Sequence, residues 1–336
     1  MLTTLGEAEK RIESGESLHI AGSEALLRKL PKGNWIGGST EYFMSRSGCK
    51  TADDALSVLS FRDAEISIGA YDEKNIHTMA LDAFDNGFSI VIIPFDSASH
   101  KAFAEKAVEL GTPYLKNIVG WISGANLEKS GQTPVSVNGL TGDVSSDKVA
   151  VMHVGLPKSK SVNVGVVNIF AQDENSPTLE FLENGFAVER CLVDGEETLF
   201  ADYIAWCGIS TTLPLVGDYS GNGVNVSFKS VENGIVNLYA PVFKGVKYKI
   251  AKVVPGYIDE FLKRARLDHV NPWFACNCVL NYLYGKLDGQ KVGTFVGPMA
   301  FGEIAYHLVN QSLVYVDVCD LDYAQSNMEP KCTIKS

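Results

Sequence analysis

A glutamate and a histidine four residues apart, Glu303 and His307, have the spacing in this sequence that most readily supports chemistry. Such residues share a face of a helix, and they also share a face of a strand because their separation is even. We therefore expect the carboxylate to orient the imidazole. The pair could act as an acid–base couple, as half of a metal site or as a structural hydrogen bond. A structural role is favoured over ligand recognition, in which Asn310 would join them, and both are favoured over catalysis.

Two asparagines, Asn277 and Asn281, lie one turn apart on a helix predicted over residues 271–287. Asn277 falls on the apolar stripe of this helix. A buried amide without a partner costs about 1–3 kcal/mol, so its side chain must form hydrogen bonds. The partner is either a neighbouring backbone group, which is favoured, or a ligand in a pocket between helix and sheet.

Three glycine-centred segments, 34–42, 117–125 and 294–304, repeat one pattern. Each follows a predicted helix and contains an apolar pair, a glycine and a polar tip. The tip of the first segment supplies three candidate ligand-binding residues, Ser39, Thr40 and Glu41. The repetition predicts a duplicated α/β scaffold whose polar tips, from opposite ends of the chain, enclose one small pocket.

The remaining candidates are single residues. Asp218 follows an apolar run and is either a turn residue, which is favoured, or a pocket carboxylate. His153, inside the apolar run 149–154, is the one remaining histidine placed to reach a cofactor such as haem. The sequence contains no phosphate-binding loop, dinucleotide fingerprint, nucleophile elbow, zinc-protease motif or kinase signature. We assign no catalytic residue and no metal ligand, and the cofactor is unknown.

Short-range sequence patterns predict the helices and strands that position these residues. Thr4 and Glu7 form a capping box that opens a helix closed by Gly15, and Ser23 caps a second helix. The other elements predicted before residue 150 are strands in an antiparallel arrangement within 55–71, a helix at 75–86, a strand at 88–95, a helix ending at 111, a strand at 117–124 and a polar loop at 125–148.

Strand signals dominate the middle of the chain. Asn233 and Gly234 suit the positive φ angles of a type I′ turn and predict a hairpin. The other elements predicted after residue 148 are strands at 149–154, 162–170, 224–230, 235–239 and 312–319 and helices at 256–266 and 271–287. The sequence therefore predicts an α+β protein, a two-lobed duplicated α/β scaffold with mixed and antiparallel sheets flanked by helices.

Composition and charge argue against several classes of function. The net charge of −11 and the absence of a basic cluster argue against a nucleic-acid surface. The apolar runs are too short to span a bilayer, and the N-terminus does not resemble a secretory signal. Seven scattered cysteines are typical of free thiols in a reducing compartment. We therefore expect a soluble, cytoplasmic protein without nucleic-acid or membrane partners.

The glycine-centred segments resemble those of the FIST (F-box and intracellular signal transduction) domain, a sensory module. The similar stretches are Ile-Gly-Gly-Ser-Thr at 36–40, Ala-Cys-Asn-Cys at 275–278 and Val-Gly-Pro-Met-Ala-Phe-Gly-Glu-Ile at 296–304. The chain departs from the family pattern at Gly38, where cysteine is commoner, and at Pro298. The resemblance implies a FIST N-terminal-like domain at 1–148, a C-terminal-like domain at 149–321 and a polar tail at 322–336.

The resemblance further implies a cytoplasmic receptor for an amino acid or other metabolite that signals through a separate partner, such as a kinase or chemoreceptor. The candidate ligand-binding residues are Ser39, Thr40, Glu41, Asp218, Asn277, Asn281, Glu303, His307 and Asn310. Two alternatives stay open: a haem-based gas sensor with His153 or His307 as axial ligand, and an enzyme that acts on a small metabolite through Glu303 and His307.

Overall fold

The computed structural model describes residues 2–106, 116–219, 221–267 and 269–321. In chain order its strands are Leu2–Thr3 (β1), Leu18–Gly22 (β2), Trp35–Ser39 (β3), Tyr42–Met44 (β4), Lys50–Thr51 (β5), Leu56–Ser60 (β6), Glu65–Tyr71 (β7), Gly87–Pro94 (β8), Asn117–Ser123 (β9), Ser136–Asn138 (β10), Asp143–Ser145 (β11), Val149–Gly155 (β12), Lys160–Val167 (β13), Leu179–Phe181 (β14), Gly185–Val188 (β15), Arg190–Val193 (β16), Glu196–Leu199 (β17), Leu215–Tyr219 (β18), Asn222–Val226 (β19), Phe228–Glu232 (β20), Ile235–Val242 (β21), Tyr248–Ile250 (β22), Pro272–Cys278 (β23), Gly297–Ala300 (β24), Glu303–Ala305 (β25), His307–Val309 (β26) and Leu313–Asp320 (β27). The helices are Leu5–Glu13 (α1), Glu24–Leu27 (α2), Ala98–Lys106 (α3), Phe200–Trp206 (α4), Tyr257–Arg264 (α5) and Val279–Tyr284 (α6), with a 3₁₀ helix at Ile76–Leu81.

These strands form mixed and antiparallel sheets, and the fold is richer in sheet than the predicted α+β arrangement. The strand orders are β1-β6-β2-β3-β10-β11, β26-β25-β9-β8-β12-β7, β13-β27-β23-β24-β4-β5, β17-β16-β14-β22-β18-β19 and β15-β21-β20. Two of these sheets contain strands from both sides of residue 148. Among the described residues, no helix has the length and apolar character needed to cross a membrane.

Each glycine-centred segment forms the second strand of a parallel pair. The pairs are β2 with β3, β8 with β9, and β23 with β24, and each pair is joined by a connection that contains a helix. Parallel neighbours need such a crossover because a tight turn can only reverse the chain. The repeated pattern in the sequence therefore corresponds to three strand–helix–strand units.

The segments converge at the carboxyl ends of β3, β9 and β24. The backbone N–H of Gly124 donates to the carbonyl of Ser39 at 2.8 Å, and the hydroxyl of Thr40 donates to the carbonyl of Met299 at 2.9 Å. Gly38 permits this approach, since a Cβ there would lie 2.5 Å from Ile92 Cγ2 and 2.9 Å from the ring of Trp121. The prediction that segments from opposite chain ends meet is confirmed.

Several local predictions are confirmed. The capping box of Thr4 and Glu7 opens α1, and both Asn233 and Gly234 have positive φ angles, 53° and 80°, between β20 and β21. The apolar run of β8 is buried along its full length, as the central strand of a covered sheet requires. The polar tail from residue 322 and the end of the helix predicted up to residue 111 lie outside the described residues.

The helix predicted over residues 271–287 is wrong. Its first part is the strand β23, and only Val279–Tyr284 is helical. The strand hydrogen-bonds to β24 on one side and to β27 on the other. These long-range pairings determine its conformation, because the burial of both faces leaves no alternation that distinguishes a strand from a buried helix.

Two other predictions need correction. The strands within 55–71 do not pair with each other: β6 joins β1 and β2, whereas β7 pairs with β12. The predicted loop 125–148 contains an antiparallel pair, β10 with β11, that extends the first sheet from β3. This extension places residues 124–133 beside the end of β3.

Candidate functional site

Glu41 lies in the connection between β3 and β4 and is the most extensively hydrogen-bonded carboxylate at the strand ends. It is buried, and its oxygens accept hydrogen bonds from Asn126 Nδ2 at 2.7 Å, Lys129 Nζ at 2.8 Å and Gln132 Nε2 at 2.9 Å. All three donors belong to the segment 124–133. Glu41 therefore fastens this segment to the end of β3.

The charges around Glu41 are mutually stabilised. Burial alone would raise the pKa of Glu41, but the hydrogen bonds from Asn126, Lys129 and Gln132 lower this pKa below its ordinary value. Lys129 Nζ also lies 2.9 Å from Asp53 Oδ2. The hydrogen bonds to Glu41 and Asp53 raise the pKa of Lys129, and the one from Lys129 lowers the pKa of Asp53. All three groups are ionised at neutral pH.

A cleft with a volume of about 360 Å³ opens beside these charges, and we call it the Glu41 cleft. It lies past the carboxyl ends of β2, β3 and β9, a location where α/β proteins commonly bind ligands. Its lining comprises Ser23, Glu24, Ala25, Ser39, Thr40, Glu41, Asp53, Gly124, Ala125, Lys129, Gly131, Gln132 and Thr133. The three residues predicted from the first segment therefore line one cavity.

Ser39 and Thr40 hold the wall of the cleft. The Ser39 hydroxyl donates to the carbonyl of Gly124 at 2.8 Å and accepts from the backbone N–H of Val135 at 2.9 Å. The Thr40 hydroxyl donates to Met299. Because both hydroxyls already bond to backbone groups, the groups of the cleft that a ligand can reach from solvent include the exposed side chains of Lys129 and Asp53.

Glu303 does not line the Glu41 cleft, so the predicted single pocket with tips from both chain ends is not formed. Glu303 is fully buried, and its Oε2 accepts hydrogen bonds from the hydroxyl of Ser312 at 2.9 Å and from its N–H at 3.3 Å. Burial raises the pKa of Glu303 well above its ordinary value. Burial therefore favours the protonated form of this carboxyl group over the ionised form.

The expected hydrogen bond between Glu303 and His307 is also absent. Glu303 pairs with Val309 across the hairpin of β25 and β26, whereas His307 pairs with Ala305. Neither ring nitrogen of His307 has a hydrogen-bond partner among the described residues. The tight reversal at Tyr306, with a φ of 65°, replaces the continuous element in which the four-residue spacing would have aligned the two side chains.

His307 and Asn310 line a different cavity, of about 340 Å³, which we call the His307 cavity. It lies between the hairpin of β25 and β26 and the strands β13 and β19. The imidazole of His307 stacks on Tyr219, with ring centroids 6.2 Å apart and an interplanar angle of 18°. Burial lowers the pKa of His307 to about 4, so the ring is neutral at pH 7.

Asn277 and Asn281 are fully buried and line neither cavity. Asn281 Nδ2 donates to Asn277 Oδ1 at 2.8 Å, and the Tyr257 hydroxyl donates to Asn281 Oδ1 at 2.5 Å. Asn277 Nδ2 has no hydrogen-bond partner among the described residues. The two amides thus bond mainly to each other across the junction of β23 and α6.

Asp218 lies in a turn at the edge of a third cavity, of about 450 Å³, and His153 lies in the core. The carboxylate of Asp218 is exposed and accepts the N–H of Gly221 at 2.7 Å in the turn between β18 and β19. His153 is buried, with Nδ1 2.8 Å from Ser89 Oγ and Nε2 3.3 Å from the Tyr71 hydroxyl. Since both of its ring nitrogens are engaged, His153 is poorly placed to ligate haem. The described residues contain no group of three or more His, Cys, Asp or Glu side chains that could hold a metal ion.

Sequence reasoning missed the partners of Glu41. Asn126, Lys129 and Gln132 lie in the stretch that was interpreted only as a polar loop, and Asp53 precedes β6. The polar character of these residues was visible in the sequence. However, the three loop residues lie 85 to 91 positions from Glu41, so no local pattern indicates that they contact it.

The family model of a family of unknown function (DUF6976) matches residues 3–319, so the chain belongs to this family. No curated protein matches the chain. The family match carries no function, and the resemblance to the FIST domain stays a prediction.

Proposed function

We propose that this member of a family of unknown function is a cytoplasmic small-ligand-binding sensory module that signals through a separate partner, such as a kinase or chemoreceptor. Its ligand site is the Glu41 cleft. Its ligand is an amino acid or a metabolite that likewise carries both an ammonium and a carboxylate group. The observation that carries this proposal is the convergence of opposite charges on one cleft of suitable size at the ends of parallel strands.

The charges favour a zwitterion. Three carboxylates line the cleft, those of Glu24, Glu41 and Asp53, against the one ammonium of Lys129. The Lys129 side chain is 43% exposed, so a ligand carboxylate can reach it from solvent. The Asp53 carboxylate, 64% exposed, can then exchange Lys129 for the ligand ammonium. Ammonium–carboxylate hydrogen bonds of this kind are stronger than those between neutral groups.

The same contacts could couple ligand binding to a conformational change of the segment 124–133. Lys129 ties residues 124–133 to Glu41 and to Asp53 at once, and a ligand that competes for Lys129 changes how this segment is held. A ligand shifts a conformational equilibrium only by its differential affinity for the two states. The segment 124–133 would contact both the ligand and the end of β3, so we expect a partner protein to bind this segment and to respond to its change of conformation.

Two further parts of the proposal have indirect support. The six cysteines among the described residues are free, as is usual for proteins of a reducing compartment. The three strand–helix–strand units support an origin by repetition of a smaller α/β scaffold.

A thermal-shift screen with the twenty standard amino acids, one at a time, tests the proposed function. A ligand present at about 100 times its Kd stabilises the folded state by about 2.7 kcal/mol, which is readily detected. We expect at least one amino acid to raise the melting temperature, while its decarboxylated amine and its deaminated acid do not. Asp53→Asn and Lys129→Met should each abolish the shift.

The control is Lys148→Met, which removes an exposed ion pair with Asp143 outside the cleft. It should leave the ligand-induced shift unchanged. If no amino acid stabilises the protein, or if Asp53→Asn and Lys129→Met respond like the control, the Glu41 cleft is not the site of a zwitterionic ligand.

A further inference from the structure

The His307 cavity differs in chemistry from the Glu41 cleft. Its floor and rim carry the aliphatic side chains of Val164, Val166 and Val224, and its polar groups are mainly amides. None of the described residues that line it is an aspartate, glutamate, lysine or arginine. At about 340 Å³ it falls within the range of small-molecule sites.

The side-chain amides of Asn168, Asn225 and Asn310 in this cavity are already paired. Asn168 Nδ2 donates to Asn225 Oδ1 at 3.1 Å, and Asn225 Nδ2 donates back to Asn168 Oδ1 at 3.0 Å. Asn225 Nδ2 also donates to the carbonyl of Asn310 at 3.1 Å. These bonds fix the wall in one arrangement, so the cavity is a preformed feature of the fold.

His307 is a hydrogen-bonding group of the wall whose buried ring nitrogens lack a partner among the described residues. A neutral imidazole offers one N–H donor and one acceptor, and both ring nitrogens are buried without a partner among the described residues. Leaving such groups unsatisfied costs about 1–3 kcal/mol. A molecule that brings an acceptor and a donor to this ring would recover that free energy.

We propose that the His307 cavity is a second ligand site, which takes a small uncharged molecule with a flat apolar body and a hydrogen-bonding edge, such as a ring that carries a carboxamide. The valines contact the apolar body, and His307 bonds to the polar edge. A charged ligand is disfavoured because it would lose hydration without an opposite charge in the lining. This site does not depend on the proposed function of the Glu41 cleft.

The probe is benzamide, with benzoate and benzylamine as charged molecules of nearly the same shape. The readout is the imidazole ¹H–¹³C resonance of His307 in the folded protein, assigned by its disappearance in His307→Phe. We expect benzamide to shift this resonance saturably, with a Kd on the order of 1 mM or tighter. Benzoate and benzylamine should bind at least about tenfold more weakly.

Two variants separate the proposed site from general binding. His307→Phe keeps a ring against Tyr219 and should weaken benzamide about tenfold, as expected for the loss of one buried hydrogen bond. The binding to this variant is followed by the shift of the backbone N–H of Asn310. Val166→Asp changes a rim residue that is 46% exposed and therefore tolerates a charge. It should weaken benzamide and strengthen benzylamine.

The proposal is overturned if benzamide leaves the His307 resonance unmoved at saturating concentration, or if benzoate moves it equally. It is also overturned if Val166→Asp leaves the preference between benzamide and benzylamine unchanged while the variant is folded.

Discussion

Replacement of Glu41 by glutamine tests the role of this carboxylate with the smallest change of shape. All three of its side-chain partners, Asn126, Lys129 and Gln132, approach it with N–H donors. A glutamine presents one oxygen and one NH₂ group in place of two oxygens. In Glu41→Gln at least one donor must therefore face another donor, and the charge that attracts Lys129 is lost.

The expected cost follows from these contacts. A hydrogen bond to a charged group contributes about 1.5–3 kcal/mol, and a buried group left unpaired costs about 1–3 kcal/mol. The contribution of the Lys129 ion pair lies at the lower end of the range for charged hydrogen bonds, because the Lys129 side chain is 43% exposed and solvent screens the pair. We expect Glu41→Gln to lower the free energy of unfolding by about 2–4 kcal/mol at pH 7.

The assay is urea unfolding of the wild type and Glu41→Gln between pH 7 and pH 3. Because the folded-state pKa of Glu41 is lowered from 4.5, its ionisation stabilises the protein above that value. This contribution is lost as the pH falls through the folded-state pKa, so the difference between the two proteins should shrink on acidification. The control is Asp143→Asn, which breaks the exposed pair with Lys148 and should cost at most about 1 kcal/mol. A cost for Glu41→Gln no larger than that of the control, or one that grows on acidification, would show that an ionised Glu41 does not stabilise the segment 124–133.

Three further substitutions have defined outcomes. Because burial raises the pKa of Glu303, the folded protein keeps a proton that the unfolded chain releases above about pH 4.5, so wild-type stability falls by up to about 1.4 kcal/mol per pH unit from there to the folded-state pKa. Glu303→Gln removes this dependence and should gain stability over the wild type as the pH rises from 5 to 7 in urea titrations; a constant or reversed difference would contradict a raised pKa of Glu303. Gly38→Ala should cost about 1–3 kcal/mol in the same assay because its Cβ would overlap Ile92 and Trp121, and an unchanged midpoint would show that the sheets are not tightly packed there. Gly234→Ala, at a φ of 80°, should cost about 1 kcal/mol through backbone strain, and a stabilised variant would argue against the type I′ turn.

The elements that could be predicted from the sequence are those with short-range causes. The capping box of Thr4 and Glu7 and the turn at Asn233 and Gly234 depend on contacts or dihedral angles within a few residues. The buried run of β8 was evident because a central strand of a covered sheet is apolar throughout. The recurrence of glycine-centred segments was also correctly connected to a repeated unit, although these segments proved to be strands of parallel pairs.

The predictions that were wrong concern residues whose partners are distant in the sequence. The conformation of β23 depends on its pairing with β24, which includes Met299, and with β27, which includes Val314. No pattern within residues 272–278 predicts those partners. Similarly, the sequence identified Glu41 as a candidate but not its partners in the segment 124–133. The spacing of Glu303 and His307 was misleading because the chain reverses at Tyr306 between them.

The binding of a zwitterion in the Glu41 cleft can be tested by a crystal structure of the protein soaked with the amino acid that most raises its melting temperature. We expect density for that amino acid in the Glu41 cleft, with its carboxylate about 3 Å from Lys129 Nζ and its ammonium at the same distance from a carboxylate oxygen of Asp53 or Glu24. Density for the amino acid at any other place, with Lys129 still bridging Glu41 and Asp53, would contradict this expectation.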